Sequence, residues 1–159
     1  MKNNRVPTLY EWMGGLPTLE ALTAKFYERV PQDPLLCGLF AGMSPEHPKR
    51  VAQFLAEVFG GPKTYSGERG GHATMLSHHL GKTITEEQRR RWVALLLDCA
   101  DELKVPDDPE FRSALVAYLE WGSRLAVINS NLDPNTPVDP SVPMPAWSWG
   151  VPGGPYMPE

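Results

Sequence analysis

The sequence predicts an all-α protein that ends in a proline-rich tail. Apolar side chains recur at helical spacing in several segments, and helix-capping signals precede most of them. No segment shows the alternation of apolar and polar residues that is typical of a strand. From Leu132 onward the helical periodicity stops and proline becomes frequent.

The first two predicted helices follow each other closely. Thr8 and Glu11 form a capping box that starts the first helix, and Gly14-Gly15 ends it. The second helix begins near Thr18 and carries apolar residues at helical spacing, namely Leu19, Leu22, Phe26 and Val30. Pro31 ends it, because proline cannot continue the hydrogen-bond ladder, and Asp33-Pro34 opens a further turn.

Ser44-Pro45-Glu46 predicts the start of a third helix, with Ser44 as its cap. His47 shares one face of this helix with its apolar stripe, which consists of Val51, Phe54, Leu55 and Val58. Gly60-Gly61-Pro62 ends the helix. We expect the stretch from Lys63 to Gly71 to be an irregular loop, and Met75 to His79 to form one or two helical turns.

Two longer helices follow. Thr85 and Gln88 form a capping box for a helix that runs to about Lys104, with a wide apolar side that includes Trp92, Leu95, Leu96, Cys99 and Leu103. An acidic first turn, Asp107-Asp108-Pro109-Glu110, starts the last helix and suits its dipole. This helix runs to about Asn129.

The chain divides into a helical domain, residues 1–131, and a tail, residues 132–159. Eight of the seventeen prolines lie between Pro134 and Pro158. Such a composition favours an extended or polyproline-like chain. Two alternatives stay open: a flexible extension, or a segment that packs on the helical body or on a second subunit through Trp147, Trp149 and Tyr156.

Composition excludes several classes of protein. The net charge is −4 and the pI is about 5.6, so nucleic acid is not expected as a partner. No apolar run approaches the roughly eighteen residues of a membrane span, and the first five residues do not resemble a signal peptide. We expect a cytoplasmic protein, with Cys37 and Cys99 as reduced thiols in the core.

Common catalytic motifs are absent from the sequence. It contains no GxSxG, phosphate loop, HExxH or CxxC. The acidic pairs Glu86-Glu87 and Asp107-Asp108 stand at helix starts, where capping and dipole interactions account for them. The run Arg89-Arg90-Arg91 lies on a helix, and we interpret it as a solvated face.

A histidine pair carries the strongest functional signal. His78 and His79 precede a turn at Gly81, and Trp92 follows His79 by thirteen residues on the next helix. A neutral imidazole at a helix end is a common metal ligand, and an indole can donate a hydrogen bond to whatever the metal binds. Neighbours on a helix project about 100° apart, so only one of the pair faces a given cavity. The combination favours a haem pocket.

The chain resembles the group II truncated haemoglobins, a family of two-over-two helical haem globins, over roughly Tyr10 to Asn129. The matching segments are Phe26-Tyr27-Glu28-Arg29-Val30, Asp33-Pro34-Leu35-Leu36 with Phe40, Gln53-Phe54-Leu55-Ala56-Glu57 with Gly60-Gly61-Pro62, Tyr65 with Arg69-Gly70, and His79 with Trp92. The fold implied is a two-over-two helical sandwich with a Pro/Trp-rich C-terminal extension, and the cofactor implied is haem b.

The resemblance implies a role for each site residue. His79 is the iron ligand, and His78 faces the haem edge or solvent. Tyr27, Trp92 and His47 are the distal residues that stabilise a bound gas, although many family members have a small residue at the position of His47. The remaining cofactor-binding residues are Phe40, Val51 and Phe54 on the porphyrin, and Tyr65 and Arg69 near its propionates.

These residues imply reversible binding of dioxygen and other diatomic gases, with tight binding and slow release, in an oxygen-transport role. Two alternatives remain. The same pocket would suit a redox enzyme that is served by a reductase and that decomposes peroxide or oxidises nitric oxide to nitrate. A haem-free helical interaction module, with the tail as a docking segment, would lack a Soret band. The sequence leaves open a monomer or a homodimer.

Overall fold

A computed structural model describes residues 5–150 of the chain. Over that range the chain forms seven α-helices and no strand: α1 Leu9–Met13, α2 Gly15–Arg29, α3 His47–Val58, α4 Thr64–Arg69, α5 Gly71–His79, α6 Glu86–Glu102 and α7 Pro109–Ser130. A 3-10 turn, Val30–Gln32, follows α2. The predicted all-α fold is confirmed.

Two helix pairs enclose the core. Helix α2 packs on α3, α6 packs on α7, and α2 also contacts α6, so the pairs lie against each other. Fully buried aromatic and aliphatic side chains fill the space between them, among them Phe26, Phe59, Phe111, Leu19, Leu22 and Leu119. Helix α5 packs on α7 and α4 packs on α3, at the side of this body.

Helix starts and ends were predicted best where a local cap specifies them. The capping box of Thr85 and Gln88 is complete, since each side chain accepts from the backbone N–H of the other residue. Thr8 caps α1 through the N–H of Glu11 at 3.0 Å. Gly14 has a left-handed φ of 108° and serves as C-cap of α1 and N-cap of α2. Helix α2 therefore begins at Gly15, earlier than the predicted start near Thr18.

Three local predictions are wrong. Helix α3 begins at His47, because Ser44 accepts from Glu46 N within a turn instead of capping a helix. The segment from Lys63 to Gly71, predicted to be irregular, contains α4. The carboxylate of Glu57 on α3 accepts from Ser66 N at 3.0 Å, and this tertiary contact stabilises the short helix. Helix α5 is also longer than one or two turns.

Two side-chain environments also differ from prediction. Arg89 is buried, with a side chain only 3% exposed, and it bonds to Glu86, Glu120 and Ser123. Its neighbour Arg90 is exposed as predicted. Cys37 is exposed, whereas Cys99 is buried, and both thiols are free.

The tail follows α7, and its residues 132–150 form neither helix nor strand. Within its described part, Trp147 N donates to Val58 O at 2.8 Å and Trp149 Nε1 donates to Pro7 O at 2.7 Å. Both indoles therefore lie on the helical body. Tyr156, the third aromatic residue of the predicted contact, lies outside the described residues.

In the part of the chain that the structure covers, no helix is long and apolar enough to cross a bilayer.

Candidate functional site

A cavity of about 380 Å³ lies among α2, α3, α5, α6 and α7. This volume is typical of cofactor and small-molecule sites. Nine of the ten site residues that the sequence predicted line it, namely Tyr27, Phe40, His47, Val51, Phe54, Tyr65, His78, His79 and Trp92. Residues that are up to 65 positions apart in sequence, from Tyr27 to Trp92, thus face one space.

His79 is the last residue of α5 and faces the cavity from the helix end. Its carbonyl accepts from Lys82 N at 3.2 Å, which turns the chain back directly after the helix. Burial, with a smaller effect of His78, lowers the pKa of His79 from about 6.5 to about 4. The imidazole is therefore neutral near pH 7, which is the form that binds a metal.

One ring nitrogen of His79 makes no hydrogen bond to the described part of the protein. Its Nδ1 is buried and has no hydrogen-bond partner within residues 5–150. His78 is exposed and lies at the edge of the same cavity. The two neighbours differ as helical geometry requires, since one side chain points inward and the other outward.

Tyr27 and His47 form a polar pair in the cavity wall. Tyr27 Oη lies 3.0 Å from His47 Nε2, and Tyr27 is 8% exposed. Burial raises the pKa of the Tyr27 phenol well above its ordinary value, so the hydroxyl keeps its proton and can donate. Burial, followed by the charge of Arg50, lowers the pKa of His47, which favours a neutral imidazole. Phe40 packs edge-on against Tyr27 with ring centroids 5.5 Å apart.

Trp92 reaches the cavity from the first half of α6, and the capping box at Thr85 fixes where that helix starts. Its ring packs edge-on against Phe26 at 6.0 Å, and Phe26 packs in the same manner on Tyr27 at 4.8 Å. One buried phenylalanine thus holds the indole and the phenol. The two donors, one on α2 and one on α6, have a fixed relation to each other.

The floor of the cavity is apolar and aromatic. Phe54 packs edge-on against Tyr65 at 5.1 Å, and it also lies beside His72 at 6.2 Å. Val51 lies one turn before Phe54 on α3 and extends this surface. A flat apolar group is suited to such walls.

Arg69, the tenth predicted residue, is not among the lining residues. Its Nε donates to Gln53 Oε1 at 2.7 Å, so α4 is tied to α3 through this guanidinium. Three other cations, Arg50, Lys82 and Arg89, do line the cavity, and none of them was predicted as a site residue. Arg50 follows His47 by three residues on α3, and this helical spacing could have identified it.

The cavity lining has a positive bias. Arg50, Lys82 and Arg89 are part of it, and no aspartate or glutamate stands among the lining residues that the structure describes. Arg89 is already paired with Glu86 and Glu120. Arg50 Nε is buried without a partner in this region, so the cavity offers an unused donor to an anionic ligand.

A family model for bacterial-like globins matches residues 8–121. A group 2 truncated haemoglobin of Bacillus subtilis (strain 168) is 34% identical over 110 residues, which make up 69% of this chain and 81% of that relative. The chain belongs to the group II truncated haemoglobins.

Solved structures agree with this family. The group II truncated haemoglobin from Bacillus anthracis superposes with a TM-score of 0.70 at 27% identity, covering 77% of this chain and 92% of that one. The truncated oxygen-avid haemoglobin from Bacillus subtilis gives a TM-score of 0.67 at 33% identity, covering 76% and 99%. The two helix pairs of this truncated haemoglobin therefore form the two-over-two fold of the family.

Haem b is the cofactor of this truncated haemoglobin. The cavity fits the group in three respects: an inward imidazole with an unpaired nitrogen, apolar walls, and cations without carboxylates. Across residues 5–150 no three histidine, cysteine, aspartate or glutamate side chains converge on a point. A metal held by a single imidazole and a porphyrin does not need such a cluster.

Proposed function

We propose that this truncated haemoglobin binds dioxygen reversibly, with His79 as the protein ligand of the haem iron. The observation that carries the proposal is the shared cavity, which places His79 together with Tyr27, His47 and Trp92. Haem bound in this cavity would supply an iron that can bind a diatomic gas. The chain supplies one neutral imidazole and a set of polar groups around the remaining space.

In this proposal Tyr27 and Trp92 donate hydrogen bonds to the gas. These donors would stabilise a gas ligand that carries partial negative charge, and each hydrogen bond to a charged group contributes about 1.5–3 kcal/mol. His47 acts through Tyr27. When its Nε2 carries the proton, it donates to the phenol oxygen at 3.0 Å and leaves the phenol proton for the gas.

We further assign the haem carboxylates to Arg50, Lys82 and Tyr65. All three line the cavity, and Arg50 Nε has no other partner in the described structure. A guanidinium matches a carboxylate by its forked donors. Arg69 contributes indirectly in this assignment, because it holds Gln53 and thereby α3.

Absorption spectra of two histidine variants test the iron ligand. We expect His79→Ala to lose haem, or to lose the spectrum of a histidine-ligated iron, because no second cavity histidine stands at the end of α5 facing inward. His78→Ala removes the exposed neighbour and is the matched control, which we expect to keep both. Unchanged ferrous and carbonmonoxy spectra in His79→Ala would refute the assignment.

The second candidate function is a redox reaction in the same pocket, either oxidation of nitric oxide to nitrate or decomposition of peroxide. The hydrogen bond between Tyr27 and His47 favours it, since a phenol and an imidazole in contact can relay a proton. Turnover with nitric oxide or peroxide, measured beside the oxygen dissociation rate, separates the two functions. A reductase partner is needed only for sustained turnover.

A cytoplasmic location belongs to the proposal. It is supported by the two free cysteines, of which Cys37 is exposed. An exposed thiol persists in a reducing compartment.

A further inference from the structure

The described part of the tail, residues 132–150, forms a strap across the outside of the helical body. It lies beyond residues 8–121, which are the residues that the family model matches. The strap therefore adds packing contacts to a body that already contains the site. Some of its contacts fall on α7 and next to α5, the two helices that form one side of the cavity.

The strap contacts α5 near both of its ends. Gly81, two residues after His79, lies against Pro134 so closely that a Cβ at Gly81 would be 2.6 Å from Pro134 Cγ. Near the other end, the buried side chain of His72 lies beside the backbone of Pro143. The helix that carries His79 is thus held between the cavity and the strap.

Trp147 supports the cavity wall from behind. Its backbone N–H donates to Val58 O at 2.8 Å, at the end of α3. Its ring packs on Tyr118 at 5.6 Å and on Trp121 at 5.7 Å, and both of these α7 side chains line the cavity. Only one layer of side chains therefore separates the indole of Trp147 from the cavity.

Trp149 makes similar contacts away from the cavity. Its ring packs on Trp12 at 5.6 Å and on Phe111 at 6.4 Å, and its indole N–H donates to Pro7 O. Neither Trp12 nor Phe111 is part of the lining. The strap thus contains two half-buried tryptophans, of which one contacts the wall of the site and the other does not.

We infer that the strap retains the haem, with Trp147 as a positioning residue that acts through Tyr118 and Trp121. This inference rests on the proposed binding of haem in the cavity. A cofactor leaves when its enclosing wall opens, and side chains that support the wall from outside reduce that opening. Trp147 limits opening of the cavity wall at α7, and the contacts of Pro134 and Pro143 limit opening at α5.

The test is the rate of haem transfer from the holoprotein to excess apomyoglobin, followed by the change in the Soret band. Trp147→Ala removes two aromatic contacts with the wall, and we expect transfer to be about tenfold faster. Trp147→Phe keeps an aromatic ring there and should restore most of the parent rate. Trp149→Ala, the matched control, should stay within about twofold of the parent.

Thermal unfolding of each haem-free variant separates retention from general stability. Equal transfer rates in Trp147→Ala and the parent would overturn the inference. The inference would also be overturned if haem transfer became faster in proportion to the loss of melting temperature, so that Trp149→Ala lost haem as fast as Trp147→Ala. If Trp147→Ala does not fold, Trp147→Leu provides the same comparison. A parent protein without a Soret band would instead contradict the proposed function.

Discussion

At the scale of single residues, the distal side of the cavity depends on Phe26. This fully buried ring contacts both Tyr27 and Trp92, so neither donor can move without disturbing the core. The hydroxyl of Tyr27 keeps its proton because burial raises its pKa. In the proposed function these donors would therefore be preorganised, because little free energy would be lost in ordering them when a gas binds.

Removing either donor should speed the release of dioxygen. We expect Tyr27→Phe and Trp92→Phe each to raise the oxygen dissociation rate about ten- to a hundredfold, since one hydrogen bond to a charge-bearing ligand is lost. Stopped-flow displacement by carbon monoxide measures this rate. Tyr10→Phe, a change of the same atoms outside the cavity lining, is the control. Parent-like rates in both distal variants would show that the gas is held in another way.

The residue-level site was predictable from sequence where side chains lie on one helix or match a known pattern. Tyr27, His79 and Trp92 fall into that class. Arg50 shares α3 with His47, so its helical spacing could have identified it, whereas Lys82 follows α5 in a turn that no such spacing relates to the cavity. The bond of Arg69 to Gln53 was also hidden, since it joins two helices whose packing the sequence does not specify.

At the scale of elements, the arginine run on α6 shows how tertiary contacts decide the role of a charge. Arg89, Arg90 and Arg91 are adjacent, yet only Arg89 faces α7. There it meets Glu120 and Ser123, which lie 31 and 34 residues away in sequence. A helical wheel places the three residues on different faces, but it does not identify the partner of the inward one.

Arg89→Ala should therefore destabilise the protein by about 1–3 kcal/mol, because the buried bond that Arg89 donates to Ser123 is lost and the packed aliphatic stem is removed. The carboxylates of Glu86 and Glu120 are partly exposed and can be hydrated, which limits the loss. Urea unfolding measures the difference. Arg90→Ala, whose side chain is 76% exposed, should change the free energy of unfolding by less than about 0.5 kcal/mol. Equal effects of the two changes would contradict a buried role for Arg89.

Helices with their own caps were predictable, and helices made by tertiary contact were not. Helix α6 begins where its capping box indicates. Helix α4, Thr64–Arg69, contains a glycine and has no side-chain cap. It exists because Glu57 and Gln53 on α3 bond to Ser66 and Arg69. Local sequence carries little information about a segment of that kind.

At the scale of the whole molecule, the change of composition at Leu132 lies close to the end of α7 at Ser130, and residues 132–150 contain no helix or strand. The path of the strap was not predictable. Its bond from Trp149 to Pro7 joins residues 142 positions apart, and the sequence alone left open whether such contacts form. Near its last described residues the strap contacts α1, because Trp149 packs on Trp12 and bonds to Pro7 just before that helix.

The whole molecule also contains three histidines that folding holds in the neutral form. Burial is the main cause that lowers the pKa of His47, His72 and His79, in the last case to about 4. The unfolded chain binds protons at these sites from about pH 6.5 downward, whereas the folded haem-free protein binds them only at lower pH. The contribution of these residues to stability is therefore fully present above that pH and is lost as the pH falls.

We expect the free energy of unfolding of the haem-free protein to fall between pH 6.5 and pH 5 by up to about 1.4 kcal/mol per pH unit for each such histidine. His72 is buried and has no role in the proposed binding of iron, so His72→Gln is the informative variant. The free energy of unfolding of this variant should fall less steeply with pH, by the contribution of one histidine. Arginine partners lower the pKa values of Glu86 and Glu102 to about 2. The stability that these carboxylates contribute is therefore lost only at more acid pH. The change of stability between pH 6.5 and pH 5 therefore reports on the histidines and not on these carboxylates. Urea unfolding at pH 7, 6 and 5 measures the slope, and a flat profile would show that the haem-free cavity admits water to these side chains.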